Sequence, residues 1–246
     1  MTGPSQARFP GTRLSVLRAL RADDAATRRS ALEALVAIYW RPVYARFRFK
    51  WSASAVDAED LTQEFLARAA EDGLFQDYNP ARGRLRTFLR TCADRFAANA
   101  ERHRGRLKRG GATIALPIET ADLERELGAR DGSGGEADAD AWFEREWVRA
   151  VFTDAVGRLR DETAGTPREV RFTLLRRYDL DPPREEDRPS YRALADELGL
   201  PVTQVTNHLA WARRELRRLV LERLRSLAGS DAEYRDDVAA VLGRQP

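Results

Sequence analysis

The stretch SYRALADELGLPVTQVTNHLAWARRELRRL, residues 190–219, decides how this chain is read. Ser190 suits a helix cap, because its hydroxyl can accept a hydrogen bond from an N–H of the first turn. Leu194, Ala195 and Leu198 then fall on one face of a short helix. Gly199 can adopt the left-handed backbone that ends a helix. Leu200-Pro201-Val202 makes a short turn. Val205, Leu209, Ala212 and Leu216 recur at the three- and four-residue steps of a second apolar stripe. Helix, glycine turn, helix is the layout that lays its second helix in the DNA major groove. Thr203, Gln204, Asn207, His208 and Trp211 would face that groove. Gln and Asn amides donate and accept at once, which suits an adenine edge. Arg213 and Arg214 follow where phosphates would lie. A plain helical hairpin inside a bundle has the same outline.

Working outward, helical periodicity dominates and strand alternation is scarce, so the expected class is all-α. Residues 12–49 read as helices broken near Asp23-Asp24 and at Pro42, with Thr12 as a first cap. The next helix is expected over Asp57–Ala70, capped by Asp57, with Leu61, Phe65 and Leu66 inward and Asp60, Gln63 and Glu64 on another face. Asp72-Gly73 and Asn79-Pro80 mark a loop. A long helix is expected from about Arg84 to His103, with Leu85, Phe88, Leu89, Cys92 and Phe96 as its stripe and Arg86, Arg90, Arg95, Asn99 and Arg102 off it. Further helices are expected from Ala141 and over Pro167–Tyr178, with a proline-rich loop to Pro189.

Charge is abundant and segregated. The 246 residues hold 42 basic and 39 acidic side chains, and all the basic ones except Lys50 and Lys108 are arginine. Between Arg82 and Arg109 ten basic residues meet only Asp94 and Glu101. Between Glu119 and Asp140 eight acidic residues meet only Arg125 and Arg130. Between Pro201 and Arg225 six arginines meet Glu215 and Glu222. Two basic blocks around an acidic connector suggest two polyanion-binding modules on a tether. Gly132, Gly134 and Gly135 lie in that connector, so a poorly ordered linker is expected. In solution it should be drawn to the basic faces near Arg86 to Arg109.

Other classes find little support. One cysteine, Cys92, rules out an intramolecular disulfide and a cysteine-based zinc site. His103 and His208 form no metal-ligand spacing, and no metal is expected. No phosphate-binding glycine loop and no Gly-x-Ser-x-Gly elbow occurs, so neither catalysis nor a cofactor is expected. No apolar run nears the roughly 18 residues of a membrane span. Met1 to Pro10 carries no apolar signal core, and a cytoplasmic setting without membrane partners is the expectation.

Two motifs extend the reading. DAEDLTQEFL at 57–66 and YNPARGRLRTFL at 78–89, with the basic helix that follows, resemble region two of the sigma-70 family of RNA polymerase sigma factors, in its extracytoplasmic-function group. SYRALADELGL and its second helix resemble region four. Lys108-Arg109-Gly110-Gly111 and the segment Asp231–Asp237 resemble a branch of that group found in bacteria with large genomes.

The resemblance implies two small helical domains, a region-two bundle and a region-four helix-turn-helix, joined by a flexible acidic linker. Its bounds would be a tail at 1–11, region two at 12–109, linker at 110–140, region four at 141–226 and a tail at 227–246. Asp60, Gln63 and Glu64 would dock on core RNA polymerase. Tyr78, Asn79, Arg82, Arg86, Arg90, Asn99 and Arg102 would engage the minus-ten element of promoter DNA. Thr203, Gln204, Asn207, His208, Trp211, Arg213 and Arg214 would read the minus-thirty-five element. An anti-sigma factor or other regulator would be a further partner. The competing readings are a stand-alone helix-turn-helix regulator and an adaptor that binds polymerase without opening promoters.

Overall fold

The computed structural model describes residues 16–71, 73–104, 123–124, 136–182 and 184–243. The described residues are helical and turn structure without a strand, so the fold is all-α. The helices are α1 (Val16–Ala19), α2 (Ala25–Lys50), α3 (Ala55–Glu71), α4 (Leu85–Arg104), α5 (Glu136–Thr163), α6 (Glu169–Leu175), α7 (Tyr191–Leu198), α8 (Val202–Leu227) and α9 (Asp231–Leu242). Short 3-10 turns stand at Leu74–Gln76, Pro80–Arg82 and Glu185–Asp187. The chain divides into two compact units. One takes residues up to Trp147 together with those from Arg225 onward; the other is Val148–Leu224.

In the first unit α2 is the central element and packs on α3 and α4. Asp24 caps it, its carboxylate accepting from Thr27 N at 2.8 Å. Pro42 lies inside α2 rather than breaking it. A helix-interior proline costs about 3 kcal/mol in lost hydrogen bonding and steric clash. Here Val43, Tyr44, Ala45 and Phe47 just beyond it are fully buried. Burial of a large apolar side chain is worth about 1.5–3 kcal/mol each, enough to carry the helix through. Phe47, Phe65 and Phe96 join α2, α3 and α4, with ring centroids 5.7–6.5 Å apart.

The cap of α3 also differs from the expectation. Ser54 caps it, not Asp57: Ser54 Oγ accepts from Asp57 N at 3.1 Å and donates to Asp57 Oδ2 at 2.8 Å. Asp57 thus stands third in the helix, completing a Ser-x-x-acid box. On α4, Leu85, Leu89, Ala93 and Ala97 are buried, while Phe88, Cys92 and Phe96 are half-buried. Small alanines set the line of closest approach, and the bulkier side chains flank it.

One polar knot crosses this core. Arg46 of α2 is 2% exposed. Its guanidinium forks onto Asp94 of α4, both bonds 2.7 Å, and reaches Asp140 of α5 at 2.6 Å. Lys50 Nζ and Trp51 Nε1 also donate to Asp94, at 3.0 and 3.2 Å. Burial acts to raise the Asp94 pKa, but these donors outweigh it and hold the carboxyl below its usual value.

The described residues differ from the expected domain bounds at three points. Within the 110–140 linker, Leu123 is fully buried and Glu124 is held by Arg48 and Tyr44; residues 136–140 are the first turn of α5. The start of α5, expected in the second domain at 141–226, counts with the first unit as far as Trp147. The tail expected at 227–246 contains α9, also of the first unit. Ser230 caps α9 through Glu233 N at 3.1 Å, the Ser-x-x-Glu spacing that starts a helix. The 1–11 tail and the expected first cap, Thr12, lie outside the described residues.

The second unit carries the helix-turn-helix. Ser190 Oγ accepts from Ala193 N at 3.1 Å, and Gly199 closes α7 with φ 63°. A side chain at Gly199 would strain that left-handed backbone. Pro201 opens α8, its carbonyl accepting from Gln204 N at 2.9 Å and Val205 N at 3.2 Å. Leu174, Leu194, Ala195, Val205 and Leu209 form one buried cluster, with Val170, Tyr178, Tyr191, Leu198 and Leu200 against it. The helix expected over Pro167–Tyr178 is α6, which continues as a π turn, Arg176–Leu180, closed by Asp181 N on Arg176 O at 2.7 Å.

Candidate nucleic-acid interface

On α8 the apolar stripe turns inward, with Val205, Leu209 and Ala212 fully buried. That orientation leaves Thr203, Gln204 and Asn207 exposed in its first turns. His208 is half-buried. Burial and the nearby Arg171 cation lower its pKa, so near neutral pH it is an uncharged imidazole. Trp211 is half-buried under two guanidinium groups, Arg171 at 4.5 Å and Arg168 at 5.7 Å from the ring centroid. Its indole is therefore engaged by α6 and the turn before it. Arg213 is held as well: it binds Asp179 bidentately at 2.8 and 2.9 Å and lies over Tyr178. Arg214 is exposed. Of seven expected groove residues, the structure presents Thr203, Gln204, Asn207 and Arg214 outward, with His208 at their edge.

The α3 candidates share an outer face. Asp60 and Glu64 are exposed, and Gln63 is half-buried with its amide 3.4 Å from Glu59. Glu64 accepts from Arg68 at 2.6 Å, a surface pair of the kind worth little to stability.

The minus-ten candidates divide. Asn79, Arg82, Asn99 and Arg102 are exposed. Asn79 also caps the following turn, accepting from Ala81 N at 2.9 Å. Arg90 pairs with Asp140 at 2.9 Å. Tyr78 and Arg86, expected to meet DNA, are buried here, 3% and 4% exposed. Arg86 pairs with Asp237 and with Glu144, and lies 4.5 Å from the centroid of Trp147. Tyr78 Oη is 3.0 Å from both Gly83 O and Glu233 Oε2. Burial first, then Glu233, pushes the phenol pKa up.

Sequence reasoning missed what does this. Glu233 accepts from Leu85 N and Gly229 N, each at 2.7 Å, so one buried carboxylate serves the first turn of α4 and the entry to α9. Asp236 binds Arg84 at 2.6 Å. The resemblance at Asp231–Asp237 and the Ser230-x-x-Glu233 spacing both mark this segment in the sequence, but neither tells where the helix seats.

Charge segregation along the chain is likewise softened in three dimensions. In the first block Arg84, Arg86 and Arg90 have acidic partners on α5 and α9. Arg82, Arg95 and Arg102 are exposed. Arg106, Lys108 and Arg109 lie outside the described residues. In the second block Arg213, Arg218, Arg223 and Arg225 each have a carboxylate partner. Of the connector, Glu124 binds Arg48 at 2.7 and 2.9 Å and Tyr44 at 2.6 Å, on α2 rather than on the expected Arg86–Arg109 face. Glu119, Asp122 and Glu126 lie outside the described residues.

No helix among the described residues is long and apolar enough to cross a membrane. Compared with protein-family models, with curated proteins and with solved structures, the chain matches none of them.

Proposed function

We propose that this chain is a promoter-specificity subunit, a sigma factor that binds core RNA polymerase and directs it to promoter DNA. The observation that carries the reading is the helix-turn-helix of α7 and α8 with Thr203, Gln204 and Asn207 exposed over a closed apolar core. Those side chains have the donor and acceptor groups that distinguish bases in the major groove. The exposed acidic face of α3 supports a second contact, suited to a basic partner surface. In this reading the first unit supplies the polymerase contact through α3, and the second unit supplies the base-reading helix. Promoter opening would draw on polymerase contacts, since no nucleotide-hydrolysis motif is present in the sequence.

Run-off transcription with purified core polymerase and fragmented genomic DNA tests the proposal. Discrete start sites that depend on the added chain are expected. DNA binding without transcripts would favour the stand-alone regulator instead, a reading that the buried Tyr78 and Arg86 specifically support. Replacing Asp60 and Gln63 with arginine should weaken core binding by about tenfold through repulsion. Equal binding by wild type and this variant, measured by fluorescence anisotropy with helicity unchanged, would remove α3 from the interface.

Base reading gives a separate expectation. Gln204→Ala or Asn207→Ala should relax preference at one promoter position by about 1–3 kcal/mol. Arg214→Ala should weaken every sequence alike and reduce the salt slope by about 1. Selection from a randomised duplex library checks both. The same sequence logo from wild type and the Gln204/Asn207 double variant would sink the assignment.

A further inference from the structure

We propose that α9 is a built-in cover over the polyanion surface formed by the 78–86 segment, and that it must lift for that surface to hold DNA. The inference rests on the nucleic-acid reading given above for this segment.

Three carboxylates carry it. Glu233 takes the Leu85 N–H at the start of α4 at 2.7 Å and lies 3.0 Å from the Tyr78 hydroxyl. Asp236 takes Arg84 at 2.6 Å, and Asp237 takes Arg86. A helix-start N–H, guanidinium forks and a tyrosine hydroxyl are the donors that commonly hold phosphate. An acidic helix thus fills, one carboxylate after another, the positions a phosphate backbone would use. Asn79 and Arg82 stay exposed beside it, so part of the surface remains open for a first encounter.

Two features show the contact is close and yet poised. At Gly229, a β-carbon would lie 2.8 Å from Tyr78 Oη and 2.9 Å from Pro80 Cβ and Cγ. Only glycine lets the chain enter α9 this near the 78–80 loop. Asp237 strains the seat from within. Burial pushes its carboxyl up to about 6 against the pull of Arg86, with Glu233 adding to the rise. At neutral pH, above that value, Asp237 is an anion paired with Arg86, held in a place that disfavours its charge relative to water.

The test uses full-length protein and a fluorescein-labelled single-stranded DNA pool of random sequence. Hydrogen exchange of residues 231–242 is followed with and without the DNA, and affinity is measured for wild type, Gly229→Val and the Glu233→Gln/Asp237→Asn variant. Amide protection in α9 should fall when DNA binds. Both variants should bind about tenfold more tightly, because docking lowers the fraction of competent surface. DNA binding with α9 protection unchanged or raised would overturn the proposal, as would variants with an exposed α9 that bind no tighter. Absence of DNA binding in every form, including those with α9 exposed, would instead overturn the nucleic-acid reading of the segment and leave α9 a structural brace. Should Gly229→Val fail to fold, the wild-type exchange experiment decides alone.

Discussion

Asp94→Ala should lower the stability of the first unit by about 3–5 kcal/mol, the range seen when one partner of a buried ion pair is removed. The change takes away both bonds of the Arg46 fork, and the acceptor of Lys50 and Trp51. Arg46 is 2% exposed with the carboxylate in place, so the deletion leaves a buried guanidinium short of its bidentate acceptor. Asp140 remains as its second partner, at 2.6 Å and more exposed. Asp140→Ala should therefore cost distinctly less than Asp94→Ala. Urea unfolding of both variants, followed by tryptophan fluorescence, checks the order. Equal losses would mean that the two carboxylates hold Arg46 equally.

The same knot sets a pH dependence. The folded pKa of Asp94 is depressed, so its contribution is present above the unfolded value, near 3.9 for an ordinary aspartate. That contribution is lost as pH falls through the lower folded value. Glu124 has the same sign: burial raises it, but the bonds from Arg48 and Tyr44 prevail and leave it below the usual carboxylate value. Asp237 has the opposite sign, and its contribution is lost as pH rises through about 6. Acid unfolding of the first unit should thus be blunted in Asp94→Ala. An unchanged acid limb would separate Asp94 from that transition.

Leu209→Ala should cost the second unit about 2–5 kcal/mol, through lost burial and a cavity at the centre of the helix-turn-helix. Leu209 is fully buried with Leu174, Leu194, Ala195 and Val205 around it, drawn from α6, α7 and α8. A truncation there loosens every helix that orients Gln204 and Asn207. Hydrogen exchange of α7 and α8 should show the loss directly, with the first unit's amides unaffected. Leu209→Met, nearly equal in volume, should cost less than about 1.5 kcal/mol. A comparable loss from both substitutions would point to shape rather than volume at this site.

How far the sequence could be read depended on how local each signal was. The helix-turn-helix was legible because all its determinants lie within thirty residues: a capping serine, a left-handed glycine and two apolar stripes at helical spacing. The α3 cap was misplaced by three residues because Ser54 and Asp57 are both good N-terminal residues, and only the hydrogen bonds say which one caps. Pro42 misled because its local penalty is overcome by burial on α3 and α4, which no window around it reveals.

The sequence by itself determined the all-α class, most helix positions and the face of α8 that turns outward. These follow from periodicity and capping, which act over a few turns of chain. Only the tertiary structure decided which charges remain for a partner. Arg46 meets Asp94 across 48 residues, Arg86 meets Asp237 across 151, and Arg213 meets Asp179 across 34. A count of charge along the chain treats those arginines as free cations, whereas folding spends them on carboxylates from distant helices. The burial of Tyr78 and Arg86 under α9 has the same cause: an ion pair depends on distance through space, and the sequence records only separation along the chain.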